Sequence, residues 1–387
     1  VTSPPAHPGL VEAVRARLAT VIDPELHQNV VDLGMVGEIS VTDEGAVTVS
    51  VALTTPSCPL RAQIEQDVRG AVTSLQAVSS LEIVVIAMDP EAKAALMDRA
   101  RRGAQEKAPV TSIPSTARIL GISSGKGGVG KSSVAVNLAV ALARQGLCVG
   151  LLDADIWGFS VPRLLGISGP VEARGGKMIP KRLGVGDGEL RVLSMGFLAE
   201  EDQAIMWRGL LLSRALQQFI EDAAWEDIDY LLIDLPPGTG DVQMGLARLL
   251  PRTELVVVTT PPLAAQNVAA RAADMARRGN LRVAGVIENM SDFTCEHGER
   301  YALFGEGGGR RLAESIGVPF IGSIPLDPSI VHGGDAGAPV AELDSPISLR
   351  FAELADRIVT EIAPPGAVEG CSARMLEALD RAVASQA

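Results

Sequence analysis

The chain has 387 residues, 47% hydrophobic and 21% charged, a balance that excludes wholesale disorder and a length that suggests more than one domain. Its 34 Lys and Arg against 47 Asp and Glu give a net charge of −13, which argues against a protein built to grip a nucleic-acid backbone. Four cysteines without CxxC spacing (Cys58, Cys148, Cys295 and Cys371) exclude a disulfide scaffold and a paired-cysteine zinc finger.

Residues 1–8 hold three prolines and no apolar h-region, so no secretory leader is expected. No apolar run reaches the roughly 20 residues of a membrane helix, and a cytoplasmic protein without a membrane partner is expected. Behind Pro8, Leu10, Val14 and Leu18 with Val11 and Val21 form a helical stripe. Asp43-Glu44-Gly45 supplies a turn, after which Val47, Val49 and Val51 alternate with Thr48 and Ser50 as in a half-buried strand. Ile64, Val68, Ala71, Val72 and Leu75 mark a second helix, and Leu81 to Ala87 a short apolar strand. The order helix, two strands, helix, strand, helix predicts a small α+β domain over residues 1–98, with a net charge of −8. Residues 99–116 reverse that charge to +3 through Arg99, Arg101, Arg102 and Lys107 against Glu106. They run into Pro109-Val110-Thr111-Ser112-Ile113-Pro114-Ser115, which reads as an extended linker.

From residue 117 to 365 strands and helices alternate. The candidate strands are 118–123, 148–153, 230–234, 255–260, 283–288 and 318–324, mostly continuous Val/Ile/Leu runs as in strands covered on both faces. The fold class predicted is α/β, a doubly wound, mostly parallel sheet. Residues 366–387 form a tail with helical spacing at Met375, Leu376, Leu379 and Val383.

The sharpest signal is Gly125-Lys126-Gly127-Gly128-Val129-Gly130-Lys131-Ser132, which fits GxxxxGK[ST] between a predicted strand and a predicted helix. Such glycines turn successive backbone N–H groups toward a phosphate, and the following helix N-terminus adds positive potential. ATP is therefore expected against residues Gly125 to Ser133 (Ser132 and Ser133 opening the helix), with Lys131 reaching the β/γ-phosphates and the Ser132 hydroxyl on Mg²⁺. Two acidic strand ends complete the site. Asp234 closes Tyr230-Leu231-Leu232-Ile233 and would hold Mg²⁺ directly or through water, while Asp153 would support the metal region. Pro236-Pro237-Gly238-Thr239-Gly240-Asp241 reads as a switch loop able to sense the γ-phosphate.

Lys126, a second lysine at the start of the loop, resembles the deviant loop of the dimerising ATPases that include MinD, ParA and nitrogenase iron protein. That resemblance implies a homodimer in which Lys126 reaches the partner's nucleotide, as an arginine finger does, and Asp155 orients the attacking water. More narrowly, Ser124–Ser132, Asp153–Gly158, Asp234–Asp241 and Gly285-Val286-Ile287-Glu288-Asn289-Met290-Ser291 resemble the Mrp/ApbC family of iron–sulfur cluster carrier ATPases. Val31–Val36 and Leu53–Pro59 likewise resemble the iron–sulfur assembly domain often fused in front of such an ATPase, so the likeness runs from about residue 8 to 362. It implies a P-loop NTPase that is a slow ATP hydrolase and passes clusters to apo iron–sulfur proteins, working with cluster assembly factors. It also implies an adenine contact for Asn289, where an asparagine at a strand end otherwise either caps a turn or binds a base.

At the family's cluster site the chain departs from the pattern. The usual CxxC, which lets two chains bridge a [4Fe–4S] cluster, is replaced by Ser291-Asp292-Phe293-Thr294-Cys295-Glu296-His297-Gly298, with one cysteine. Two readings follow, a mixed site in which His297 supplies nitrogen beside Cys295, and a loop that has lost its cluster. Phe159 also stands where the family usually has proline. Cys58, between Pro56 and Pro59 at a strand-to-helix junction, is either a reactive or cluster-contacting thiol or a small buried residue. Rival functions are a positioning or partition ATPase, which should show a basic DNA-facing patch or a basic amphipathic terminal helix, and a nucleotide-binding assembly adaptor without a cluster. The net −8 of the residues after 116 disfavours nucleic acid as a partner.

Overall fold

The computed structural model describes residues 8–366 apart from 25, 27, 55–59, 107–108, 156–157, 198–208 and 239–240. Cys58, Lys107, Thr239, Gly240, the proposed tail helix and Cys371 therefore lie outside the described residues. The chain divides into two compact units, residues 1–108 and 109–387.

In the first unit the order is α1 (Pro8–Leu18), β1 (Val36–Val41), β2 (Ala46–Leu53), α2 (Arg61–Thr73), β3 (Ser80–Ala87) and α3 (Pro90–Glu106). Strand β2 pairs antiparallel with β1 through a tight turn and parallel with β3 through the α2 crossover. The period-2 pattern of β2 sends Val47, Val49, Val51 and Leu53 into the core, where Val14 and Leu18 of α1 and Ile64, Val68 and Val72 of α2 meet them. Helix α3 runs on to Glu106, because Leu96 and Ala100 give it a buried face. Arg99, Arg101 and Arg102, read from sequence as the start of a linker, thus belong to a helix of this unit, and Arg99 Nε donates to the Leu33 carbonyl at 3.0 Å.

The second unit opens with a segment that packs on its own sheet layer. Ile113 is buried there, and the Arg252 guanidinium donates to the carbonyls of Ile113, Pro114, Ser115 and Ala117 at 2.7–3.3 Å. The proline-containing stretch expected to be an extended linker is therefore held down by a single arginine that satisfies four backbone acceptors.

There follow β4 (Arg118–Ser124), α4 (Lys131–Ala143), β5 (Cys148–Asp153), α5 (Val161–Leu164), a small ribbon of β6 (Glu172–Arg174) and β7 (Lys177–Ile179), β8 (Lys181–Val185), β9 (Gly188–Ser194) and α6 (Gly209–Glu221). The second half holds β10 (Tyr230–Asp234), α7 (Asp241–Leu249), β11 (Glu254–Thr259), α8 (Leu263–Arg278) and β12 (Arg282–Asn289). It ends with a hairpin of β13 (Phe293–Thr294) and β14 (Arg300–Tyr301), α9 (Gly308–Ile316), β15 (Phe320–Ile324), α10 (Pro328–Ala336) and α11 (Pro346–Arg357). Eight strands form one sheet in the order β15-β12-β11-β4-β10-β5-β9-β8, parallel except for the edge strand β8. This is the doubly wound, mostly parallel α/β architecture read from the sequence, and the six expected strands are all present.

The two strands of this sheet not anticipated, β8 and β9, carry Lys181, Arg182, Glu189 and Arg191 and so lack a continuous apolar run. Arg191 is made tolerable in β9 by Glu189 at 2.6 Å and by the Glu226 carbonyl. Helix α4 is apolar on all sides, with Val134 through Ala143 buried, because it lies between the sheet and α11. Strand β4 sits at the sheet centre between β11 and β10. Its carboxyl end is the switch point where chain direction across the sheet reverses and ligand crevices form.

Candidate functional site

The loop Gly125–Gly130 joins β4 to α4 at that switch point. Gly125 has no room for a side chain, since a Cβ there would lie 2.6 Å from the Val268 carbonyl oxygen on α8. Gly128 and Gly130 take φ of +78° and +76°, a region that L side chains avoid, and Gly127 and Gly128 face open space. Val129 is buried and anchors the loop, whereas Lys126 is exposed. The Ser124 hydroxyl donates to the Lys126 carbonyl at 3.0 Å, fixing the first turn. Ser132 and Ser133 are half-buried in the first turn of α4, where the helix leaves its N–H groups unpaired. Loop and helix end thus form an exposed nest of donors suited to phosphate oxygens.

Beneath that nest the charged groups converge. Lys131 Nζ, on a side chain only 6% exposed, lies 2.5 Å from Asp234 Oδ1, 3.3 Å from Ser132 Oγ and 3.8 Å from Asp155 Oδ2. Asp234 is fully buried, and its second oxygen, Oδ2, has no hydrogen-bond partner. Burial pushes the Asp234 carboxyl up, against the downward pull of the Lys131 ammonium. Asp153, its register neighbour on β5, is pushed up to about 7 by burial and then by the Asp234 charge. Beside the Lys131 ammonium the pocket therefore offers one unpartnered carboxylate oxygen, Asp234 Oδ2, and the Ser132 hydroxyl. One carboxylate and one hydroxyl are hard oxygen donors of the kind that fit Mg²⁺ when phosphate oxygens and water complete its coordination.

Asp153 turns to its own loop. Its carboxylate accepts from the Asp155 and Val161 backbone N–H groups at 3.2 Å each and from the Ser194 hydroxyl at 2.9 Å. It therefore sets the position of Asp155 and is engaged by donors, in contrast to the free oxygen of Asp234. Ser194 ends β9, and its role was out of reach while β9 itself went unread. Gln243 on α7 is a second residue not anticipated. Buried, it donates through Nε2 to Ser123 Oγ at 2.8 Å and to the Gly238 carbonyl at 3.0 Å, tying the loop after Asp234 to β4. Its place two residues after Asp241, in the turn of helix that follows the glycine-rich loop, was the available signal.

Asn289, at the end of β12, is brought to the phosphate loop from the far side. Its Nδ2 donates to the Val129 carbonyl at 2.9 Å. Cys295 and His297 stand apart from this cluster, on the β13–β14 hairpin. The Cys295 N–H donates to Glu299 O, and the Gly298 N–H to Cys295 O, both at 2.9 Å, so Cys295 is half-buried at the turn while the His297 side chain is 81% exposed. Among the described residues no group of three or more His, Cys, Asp or Glu side chains is placed to hold a metal ion, so one copy of the hairpin is not a complete metal site.

The central glycine loop, its buried lysine and the acidic strand ends define a P-loop NTPase. Residues 115–359 match the family described as NUBPL iron-transfer P-loop NTPase, within ParA, and residues 11–85 match the iron–sulfur cluster assembly protein family. The chain belongs to the NUBPL-type iron-transfer P-loop NTPases, with an assembly-type domain in front. It is 42% identical over 357 residues to the iron–sulfur cluster carrier protein of Mycobacterium leprae, covering 90% of this chain and 92% of that one. To the protein of the same description from Deinococcus radiodurans it is 44% identical over 341 residues, covering 85% and 88%. Among solved structures, the nucleotide-binding protein of Archaeoglobus fulgidus in complex with ADP aligns with a TM-score of 0.54 at 36% identity, over 65% of this chain and 96% of that one. No helix among the described residues is long and apolar enough to cross a membrane.

Proposed function

We propose that the protein is an ATP-dependent iron–sulfur cluster carrier: it binds and slowly hydrolyses ATP as a homodimer and passes clusters to apoproteins in the cytoplasm. The observation that carries this reading is the buried Lys131–Asp234–Asp155 constellation beneath an open glycine loop, in a chain whose relatives are described as cluster carriers. The N–H groups of residues 125–133 and the Lys131 ammonium hold the phosphates. Ser132 and Asp234 would hold Mg²⁺, which supplies charge neutralisation on the β/γ-phosphates when bound. Asp155, fixed through Asp153, orients water for attack on the γ-phosphorus as the bond to the bridging oxygen breaks. Lys126, exposed and unneeded by its own loop, is free to stabilise the transferring phosphoryl group across a dimer.

The cargo site is read at the hairpin. Cys295 is a soft thiolate donor and His297 an accessible nitrogen donor two residues on, so two copies would offer two thiolates and two imidazoles. A [4Fe–4S] cluster follows the family resemblance, and Cys58 is the remaining candidate thiol. Anaerobic reconstitution with iron and sulfide, followed by iron counting and absorbance, tests the reading. Wild type is expected to take up a cluster, with loss in Cys295→Ser, while Lys131→Ala abolishes ATP hydrolysis. A wild-type protein that binds no cluster, or a Cys58/Cys295 double variant that binds it fully, overturns the cargo assignment.

A further inference from the structure

The phosphate loop and the Cys295 hairpin are joined by four consecutive residues, 289–292, three of which make a hydrogen bond to a neighbouring element. Asn289 clamps the loop at the Val129 carbonyl. Ser291 is anchored to the neighbouring strand end, its N–H donating to Ile324 O at 3.0 Å, and its hydroxyl lies 2.7 Å from Asp292 Oδ1. The other oxygen of Asp292 accepts from Arg300 Nε at 2.7 Å, and the Asp292 carbonyl accepts from the Leu326 N–H at 2.6 Å. Arg300 is the register partner of Thr294, the residue before Cys295.

Met290 lies between the two anchors with φ of +55°. Among the described residues, the other non-glycine positions with positive φ are Asp227 and Asn280, types whose short polar side chains tolerate the left-handed region. Met290 has no such side chain, and a strained backbone of this kind persists only where its surroundings hold it. Here the holders are Asn289 on the phosphate-loop side and Ser291 on the hairpin side. One anchored neighbour thus faces the phosphate loop and the other the hairpin, with the strained residue between them.

We propose that Asn289, Met290 and Ser291 form a coupling link through which occupancy of the phosphate loop repositions the Cys295 hairpin. They act as positioning residues, neither donating to the cargo nor reacting with it. The inference rests on the reading of loop 125–133 as the ATP site and of the hairpin as the cargo site, but its test needs no cluster.

Iodoacetamide alkylation of Cys295 in the full-length, cluster-free protein, followed peptide by peptide with mass spectrometry, reports on the hairpin with and without Mg-ATP. Nucleotide binding is measured in parallel by calorimetry. Wild type is expected to change its Cys295 alkylation rate on the order of fivefold or more with Mg-ATP, the lower bound of an ordinary coupling between sites. Met290→Gly, which adopts the left-handed conformation without strain, and Ser291→Ala, which removes the hydroxyl contacts to Asp292 and the Ile324 carbonyl, should still bind Mg-ATP but lose most of that change. Wild type that binds Mg-ATP with no change at Cys295 overturns the link, as do variants that bind and respond like wild type. Failure of cluster reconstitution would overturn the cargo reading while leaving this result standing.

Discussion

Breaking the Lys131–Asp234 pair from one side should be costly, because neither partner has water to fall back on. Asp234 is fully buried and Lys131 is 6% exposed, with 2.5 Å between Nζ and Oδ1. In Asp234→Ala the ammonium keeps the Ser132 hydroxyl at 3.3 Å and, as its charged partner, Asp155 at 3.8 Å. One-sided loss of a buried pair costs about 3–5 kcal/mol, and the surviving carboxylate places this variant near the lower figure. At about 2–4 °C per kcal/mol for a unit of this size, the melting temperature should fall by about 6–12 °C. Lys131→Met instead strands the Asp234 carboxylate, already pushed up by burial, which a proton can neutralise, so its penalty should be larger at pH 8 than at pH 5. The Lys131→Met/Asp234→Ala double variant removes both charges and should cost at least about 2 kcal/mol less than the sum of the single changes. Thermal unfolding of the nucleotide-free protein by circular dichroism and calorimetry measures all four corners of the cycle. Single variants within about 1 kcal/mol of wild type, or an additive double variant, would refute the claim that this pair is a buried, mutually dependent unit.

Lys126→Ala should leave the melting temperature unchanged, since the side chain is exposed, and lower steady-state ATP hydrolysis by on the order of 10³-fold, the contribution of a charge supplied in trans; undiminished turnover would remove Lys126 from the reaction. Gly125→Ala forces a Cβ against the backbone of Val268 and Ala269, so a loss of about 1–3 kcal/mol in stability is expected together with weaker nucleotide binding, read by calorimetry. Asp153 is pushed from the ordinary 3.8 up to about 7, so the fold favours its neutral form. That contribution is complete below 3.8 and is lost as pH rises through about 7. Asp153→Asn, which cannot titrate, should therefore flatten the fall in melting temperature between pH 4 and pH 8, and an unchanged slope would assign the pH dependence elsewhere.

What the sequence made legible follows physical periodicity. The β10 run Tyr230-Leu231-Leu232-Ile233-Asp234 is buried on both faces, so its continuous apolar pattern marked a central strand and put an acidic residue at its carboxyl end. The same logic hid β9, whose Glu189 and Arg191 neutralise each other at the sheet margin, and with it the Ser194 contact that holds Asp153. Charge counting failed in a similar way at residues 99–116. Arg99 finds a carbonyl in its own unit, and Pro114 and Ser115 are held by Arg252, a partner more than 130 residues away in the chain. Local composition carries no trace of such distant acceptors.

Spacing alone identified the phosphate site because its chemistry is backbone chemistry. A glycine loop, a lysine and a serine must be adjacent in the chain for successive N–H groups to face one phosphate. The proposed cargo site obeys no such constraint. Its candidate donors, Cys295 and His297, lie on a hairpin that presents one half-buried thiol and one exposed imidazole per copy, and the described residues of a single chain assemble no metal group around them. Under that proposal a two-fold mate would double the same two residues, so spacing within one chain does not reveal the full ligand set. Between that hairpin and the phosphate loop runs an anchored segment, with Asn289 bound to Val129, Met290 at positive φ, and Asp292 held by Arg300. If Cys295 alkylation answers to Mg-ATP through this segment, the hairpin is tied to the phosphate site whatever ligand it carries; if it does not, the loop stands apart from the nucleotide.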